Sequence, residues 1–245
     1  MAIFLDGVTA AILAGGLGTR LRPAVADRPK VLAPVASRPF LTYLLDAVAR
    51  AGVQETVLLV GYGADQVCSA LGTEYAGMRI NYSRETAPLG TGGALRLALP
   101  LLRKTHVLLL NGDSFCDVDL PAFLDTLQVA SGAVGLVLAE VEDTSRYGRV
   151  QVKPDGRVVR FEEKGGDQSA GRINAGIYLI PRDTVATIPA EKPVSLERDV
   201  LPSWVEGIGV WGYPGGRFID IGTPESYAEA EAFFQTSSRG GVDRS

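Results

Sequence analysis

The stretch that most constrains the fold runs from Val8 to Ala14 and on through Gly15-Gly16-Leu17-Gly18-Thr19-Arg20-Leu21-Arg22-Pro23. Its apolar first half, bounded by glycines, has the length of a buried strand. The strand empties into a loop in which Gly15, Gly16 and Gly18 remove side chains, allowing close backbone approach and positive φ. Successive N–H groups in such a loop form a concave nest for anions. Arg20, Arg22 and Lys30 bring positive charge to the same place. Together these features predict a polyphosphate site. The competing reading, a purely structural strand-to-helix turn, does not account for the cations.

Two commoner glycine motifs do not fit. A P-loop ends in Gly-Lys-Ser/Thr, and the chain contains no Gly-Lys pair. The dinucleotide fingerprint needs a third glycine where Leu21 stands, and an acid at the end of the next strand. Asp46 lies about that far on, but inside a predicted helix.

Downstream, strands alternate with helices. Phe40, Leu41, Leu44, Leu45 and Val48 form a helical stripe within 39–50. Strands are expected over 56–60, 78–82, 107–110, 134–141, 173–180 and 207–213, with helices over 64–71, 94–102 and 120–129. This alternation predicts an α/β fold with a doubly wound, mostly parallel sheet. Ligands in such sheets bind outside the carboxyl ends of the strands, where the opening loop falls. A second glycine loop, Ser83 to Gly93, opens a helix and suits either a polar ligand or tight packing. The most apolar strand ends in Asn111-Gly112-Asp113, a carboxylate that suits a cation or a turn cap. Residues 149–161 alternate around Pro154-Asp155-Gly156, predicting an antiparallel hairpin lobe over a second substrate. Ser195 suits a helix cap, as does Thr223 ahead of Pro224. One domain is expected over 1–235, with the lobe within 147–180 and a frayed tail over 236–245.

Composition narrows the function. A net charge of −4 argues against nucleic-acid binding. Two isolated cysteines, Cys68 and Cys116, are too few for a disulfide framework or a zinc site. A lone histidine, His106, at a strand start argues against triad hydrolysis and histidine–zinc chemistry. No run approaches the ~18 apolar residues of a membrane span, and no secretory signal opens the chain. The expected location is cytoplasmic, with no membrane partner.

Leu13 to Pro23, followed by Pro29-Lys30, resembles the signature of the sugar-1-phosphate nucleotidyltransferases. Within that family the chain is most similar to the D-glycero-D-manno-heptose 1-phosphate guanylyltransferases, and matching pieces recur to Asp220. The resemblance implies a Rossmann-like fold and transfer of a nucleoside monophosphate from a nucleoside triphosphate to a sugar 1-phosphate, with release of pyrophosphate. It implies nucleotide contacts at Leu13, Ala14, Gly15, Gly16, Gly18, Thr19, Arg20, Glu85, Pro88, Gly90, Thr91 and Gly112. Arg20 and Lys30 act on the phosphates, and Asp113 and Asp220 share Mg²⁺. Tyr147, Gly148, Glu163, Lys164, Asn174 and Gly176 contact the sugar phosphate. GTP is the expected nucleotide, because an acceptor-only carboxylate at Glu85 takes both donors of guanine's Watson–Crick edge. Glu85 also suits a cap on the following turn or a pair with Arg84. Heptose or mannose 1-phosphate is the expected acceptor, in sugar-nucleotide synthesis for surface polysaccharide. Open alternatives are thymidylyl, uridylyl or cytidylyl transfer to glucose 1-phosphate, and a non-catalytic nucleotide-binding homologue. A homo-oligomer is compatible with all of these.

Overall fold

A computed structural model describes residues 7–126, 132–162, 168–190 and 192–237. The chain opens with β1 (Val8–Leu13), and after the glycine loop come two short strands, β2 (Pro34–Val35) and β3 (Arg38–Pro39). The first half continues through α1 (Phe40–Arg50), β4 (Glu55–Val60), α2 (Ala64–Leu71), β5 (Glu74–Tyr75) and β6 (Met78–Arg84). Next are α3 (Gly90–Ala98), β7 (His106–Asn111), β8 (Ser114–Cys116), α4 (Leu120–Thr126) and β9 (Val134–Val141). The hairpin β10 (Val150–Val152) and β11 (Val158–Phe161) precedes the long β12 (Gly171–Pro181) and α5 (Arg182–Ala186). The chain closes with α6 (Leu201–Glu206), β13 (Val210–Pro214), β14 (Phe218–Asp220) and α7 (Pro224–Ser237).

Eight strands form one sheet in the order β13-β9-β12-β7-β1-β4-β6-β5. β1 pairs in parallel with both β4 and β7, and β4 with β6. β12 runs antiparallel to both of its neighbours, β7 and β9. The sheet is therefore mostly parallel, with β12 reversed inside it and the short β5 antiparallel to β6 at its edge. From β1 the chain moves outward to β4 and β6, then returns to place β7 on the other side of β1. That reversal makes the carboxyl ends of β1 and β7 a topological switch point, where a crevice opens.

Both faces of the sheet are covered at its centre, which is why β4, β7 and β9 are largely apolar there. Ala10, Ile12, Leu58 and Leu110 face a core shared with α1, α2, α4 and α7 through Phe40, Leu44, Val67, Phe123 and Phe234. Ala11, Val57, Leu109 and Tyr178 face the other core, with Leu95, Val185 and Trp204. The hairpin docks on this second side, because Val150 and Val158 are buried there.

Several boundaries differ from the sequence expectation. The helix expected over 94–102 begins four residues earlier, since Gly90 (φ +72°) turns the chain at its start. The short helix expected over 195–201 is present as one π-helical turn, Leu196–Val200, and Ser195 caps it as expected, its Oγ accepting from Arg198 N at 3.2 Å. α7 extends through Ser237, two residues into the expected tail, while 238–245 lie outside the described residues. His106 opens β7 at the end opposite Asn111, and burial lowers its pKa. The five intervening steps put it ~17 Å from the crevice.

The switch point depends on Gly112. Its N–H donates to Leu13 O at 3.0 Å, and a Cβ there would fall 2.1 Å from the same oxygen. Gly112→Ala should therefore cost about 1–3 kcal/mol, the scale of forced overpacking. Gly16→Ala, where a Cβ would meet nothing within 4 Å, should stay within about 0.5 kcal/mol. Urea denaturation of the two variants checks the contrast; equal losses would show that the approach of β1 to β7 is not constrained at Gly112.

Candidate active site

The glycine loop leaves the sheet between two strands, with Ala14 N donating to Leu59 O at 2.8 Å. Gly15 is wedged against β4's exit: a Cβ there would lie 2.9 Å from Gly61 N and 3.1 Å from Glu85 Oε1. Gly18 adopts φ +60° and packs on the stem of Lys30, where a Cβ would stand 3.1 Å from Lys30 Cβ. Lys30 itself starts a single turn anchored by the buried Val31 and Leu32. These anchors aim a flexible lysine at one place. Lys30 Nζ lies 2.7 Å from Asp113 Oδ2, with the lysine 11% and the aspartate 45% exposed.

The second carboxylate arrives from far along the chain. β14 pairs antiparallel with β8, setting Asp220 opposite Ser114, and Ile221 N donates to Asp113 O at 2.8 Å. Asp113 and Asp220 thus stand on neighbouring backbone segments beside the switch point. Asp220 is 14% exposed and heavily engaged. Gly222 N donates to its Oδ1 at 2.7 Å, and the Tyr147 hydroxyl donates to Oδ2. The Arg146 guanidinium reaches Oδ2 at 3.1 Å and Oδ1 at 3.3 Å. Burial, followed by the bond to Asp220, holds the Tyr147 hydroxyl protonated by raising its pKa. Its ring packs edge-on against Phe218 at 5.4 Å.

A cleft of about 690 Å³ opens here. Of the residues expected to bind nucleotide, Leu13, Gly15, Gly16, Glu85, Pro88, Gly90, Thr91 and Gly112 line it, together with Lys30 and Asp113. Ala14 is buried beneath the loop. Thr19 and Arg20 are exposed on the loop outside the cleft lining, and Arg20 has no hydrogen-bond or ion-pair partner among the described residues. A second depression, about 750 Å³, lies by Gln54, Glu55 and Lys104 at the opposite strand ends, away from every one of these residues.

Glu85 enters the cleft from the end of β6's exit. Its Oε2 accepts from Leu89 N at 3.0 Å, which fixes the carboxylate and caps the following turn. Its Oε1 lies against Gly61, where a Cβ would be 2.5 Å away. Arg84 bonds instead to Asp65 at 2.8 Å. Across the cleft, Thr91 Oγ1 donates to Glu197 Oε2 at 2.8 Å and accepts from Leu196 N at 2.8 Å.

The residues expected at the sugar are more dispersed. Tyr147 and Gly148 sit on a turn beside Asp220, their N–H groups donating to Thr144 O. Asn174 turns toward its own strand: Nδ2 donates to Tyr178 Oη at 2.7 Å, and Oδ1 accepts from Gly176 N at 2.8 Å. Gly176 (φ +75°) abuts Asn111, whose Nδ2 would lie 2.6 Å from a Cβ. Glu163 and Lys164 lie outside the described residues.

Sequence reasoning missed Gly61, Tyr62, Asn111, Arg146 and Glu197. Gly61 carried a signal, a glycine directly after an apolar strand, equivalent in kind to Gly15. Glu197 carried none, because its partner Thr91 is 106 residues away. Two carboxylates beside room for phosphate oxygens and water fit a hard dication such as Mg²⁺. Among the described residues no group of three or more His, Cys, Asp or Glu is placed to hold a metal, so the two aspartates would be the protein's share of the ligands.

Residues 9–237 match the Nucleotidyl transferase family. The chain belongs to that family. It is 36% identical over 218 residues to a D-glycero-alpha-D-manno-heptose 1-phosphate guanylyltransferase of Campylobacter jejuni, covering 89% of this chain and 96% of that one. It is also 36% identical over 229 residues to a mannose-1-phosphate guanylyltransferase of Mycobacterium tuberculosis, covering 92% of this chain but only 64% of that one. Among solved structures, HddC from Yersinia pseudotuberculosis complexed with GMP-PN superimposes with a TM-score of 0.80 at 32% identity. The match covers 92% of this chain and 99% of HddC.

Within this nucleotidyltransferase site, Gly61 is what lets Glu85 lie where it does. Gly61→Ala should displace the carboxylate, a flexible group, and cost only about 1 kcal/mol for the lost bond to Leu89. Calorimetric titration with GTP should then show a clear loss of affinity in a folded protein. Unchanged GTP affinity would mean that the Glu85 carboxylate does not touch the nucleotide.

Proposed function

We propose that this nucleotidyltransferase transfers GMP from GTP to a sugar 1-phosphate, with D-glycero-D-manno-heptose 1-phosphate favoured over mannose 1-phosphate, releasing pyrophosphate. The observation that carries the proposal is the convergence of the glycine loop, Lys30, Asp113 and Glu85 on one cleft at the switch point. The relatives named for guanylyl transfer to heptose and mannose phosphates support the choice of base and sugar. Near full-length coverage of the heptose enzyme favours that acceptor.

The attacking phosphate oxygen is already ionised near neutral pH, so no general base is required. That suits a site whose neighbourhood contains no histidine. The work is to bring anions together in line and to neutralise the charge that develops at the α-phosphate. Asp113 and Asp220 hold Mg²⁺, which when bound supplies Lewis-acid stabilisation at that phosphate. The N–H groups of Gly15 to Gly18 cradle the triphosphate. Arg20, exposed and unpaired among the described residues, swings onto the departing pyrophosphate, and Lys30 stays near the α-phosphate. Glu163 and Lys164 hold the sugar phosphate.

Changing Asp113 or Asp220 to Asn should lower turnover by ~10²-fold or more, the scale of losing one preorganised electrostatic element. A chelator should abolish wild-type activity. Pyrophosphate release by the folded variants is the measurement, and near-normal rates in both would remove the metal assignment.

The base is set by Glu85. Guanine's N1–H and exocyclic amine both donate, and a carboxylate accepts both. The cap bond from Leu89 occupies one lone pair and orients the remaining ones. Glu85→Gln should weaken GTP use by ~1.5–3 kcal/mol, typical of a hydrogen bond to a charged group, and cost dTTP or UTP much less. Comparing kcat/KM across the nucleotides decides this: equal losses with every base would sink the guanine assignment and leave nucleotidyl transfer standing.

A further inference from the structure

Each aspartate assigned to the metal is held in this structure by a cation of its own. Lys30 pairs with Asp113 at 2.7 Å, and Arg146 pairs with Asp220 at 3.1 Å. The two pairs are built differently. Lys30 is 11% exposed and rises from an anchored turn, so it has little freedom to leave. Arg146 is 44% exposed and reaches Asp220 from the turn at Thr144 to Gly148. In the same position its guanidinium lies 5.2 Å from the Tyr147 ring centroid, a contact it makes while paired with the carboxylate. Asp220 keeps three other donors when the arginine departs: Gly222 N, the Tyr147 hydroxyl and the Ser226 hydroxyl at 3.4 Å.

A dication at Asp220 and a guanidinium across both of its oxygens compete for the same lone pairs. The phosphate of a substrate, in turn, is a better partner for a guanidinium than a carboxylate already shared with a metal. We propose that Arg146 is a counter-ion that changes partner. It neutralises Asp220, yields that carboxylate to a divalent cation, and passes to a substrate phosphate. Charge stays balanced before and after the exchange. The carboxylate is largely buried, but the arginine is 44% exposed and so free on its solvent side to move to a new partner. Arg146 is thereby a phosphate-binding residue whose contribution exists only when metal is bound. The inference rests on the proposed metal role of Asp220, and the experiment separates the two.

The probes are Mn²⁺ and mannose 1-phosphate, with binding read directly by electron paramagnetic resonance and calorimetry rather than by turnover. Without substrate, Arg146→Gln should bind Mn²⁺ ~3–5-fold more tightly than wild type, the release expected for one ion pair with an exposed arginine. Arg146→Lys, which keeps the charge, should remain near wild type. Without metal, Arg146→Gln and wild type should bind mannose 1-phosphate equally. With Mn²⁺ saturating, Arg146→Gln should bind it several-fold more weakly. Asp220→Asn is the reference and should weaken Mn²⁺ binding. If it does and Arg146→Gln leaves Mn²⁺ affinity unchanged, or weakens the sugar phosphate equally with and without metal, the exchange is overturned. If Asp220→Asn leaves Mn²⁺ affinity unchanged, the metal role of Asp220 fails first and takes the exchange with it.

Discussion

The approach of β1 to β7 at their carboxyl ends is the constraint on which the site depends. Leu13 O accepts from Gly112 N, and no side chain fits at Gly112. That contact sets the residue after Gly112, Asp113, directly beside the loop that follows Leu13. A nest of N–H groups and a carboxylate would neutralise each other if they met directly; set side by side at a switch point, they suit a ligand that carries both signs. The parallel pairing that creates the crevice also buries both sheet faces, so the strands leading to it are apolar and stiff. The polar residues are left only at the strand ends.

The reversed strand β12 performs a second task. A parallel strand in that place would need a crossover helix and would present its other end to the crevice. Running antiparallel, β12 carries Asn174 to Gly176 past Asn111. Its register slips between Asn174 and Tyr178, and Gly176 takes a positive φ there. Bulges of this kind re-aim a strand beside a site. The Asn174 side chain stabilises the slip by satisfying Gly176 N and the buried Tyr178 hydroxyl. The residue therefore shapes the wall through its own backbone, whatever its part in holding the sugar.

How much of this was legible follows from sequence distance. β4 and β7 declare themselves by apolar runs, β1 by small and apolar residues, β6 by partial alternation, and the glycine loop by its composition. Those are local signals, and the structure keeps them within a few residues. The start of α3 was misplaced because Gly90 to Gly93 read as a loop. Their helical geometry is fixed instead by Val194 O, which accepts from Gly92 N and Gly93 N and whose position no local pattern reports. Glu197 and Arg146 escaped for the same reason. Their partners Thr91 and Asp220 are distant in the chain, and a lone charge in a loop reads as solvated surface. Glu85 was legible as to place but open as to role. The bond from Leu89 shows that capping and base recognition are compatible, since a carboxylate has lone pairs for both.

Charge is graded along the cleft, and the grading explains why the two ends suit different parts of a nucleotide. Lys30 and Asp113 line one end beside the glycine loop, and the Arg146–Asp220 pair stands behind them, outside the cleft lining. At the other end stand Glu85 and Glu197, each with an oxygen tied to a neighbouring N–H or hydroxyl and so held in place. Carboxylates there repel phosphate and accept from N–H and O–H donors, which a base and a sugar ring carry and a polyphosphate lacks. A nucleotide entering backwards would set phosphate against two acids and base edges against cations already paired. Orientation is thereby imposed before any single contact is optimised. Both acids are held by neighbouring donors, so little reorganisation is needed for them to meet a ligand.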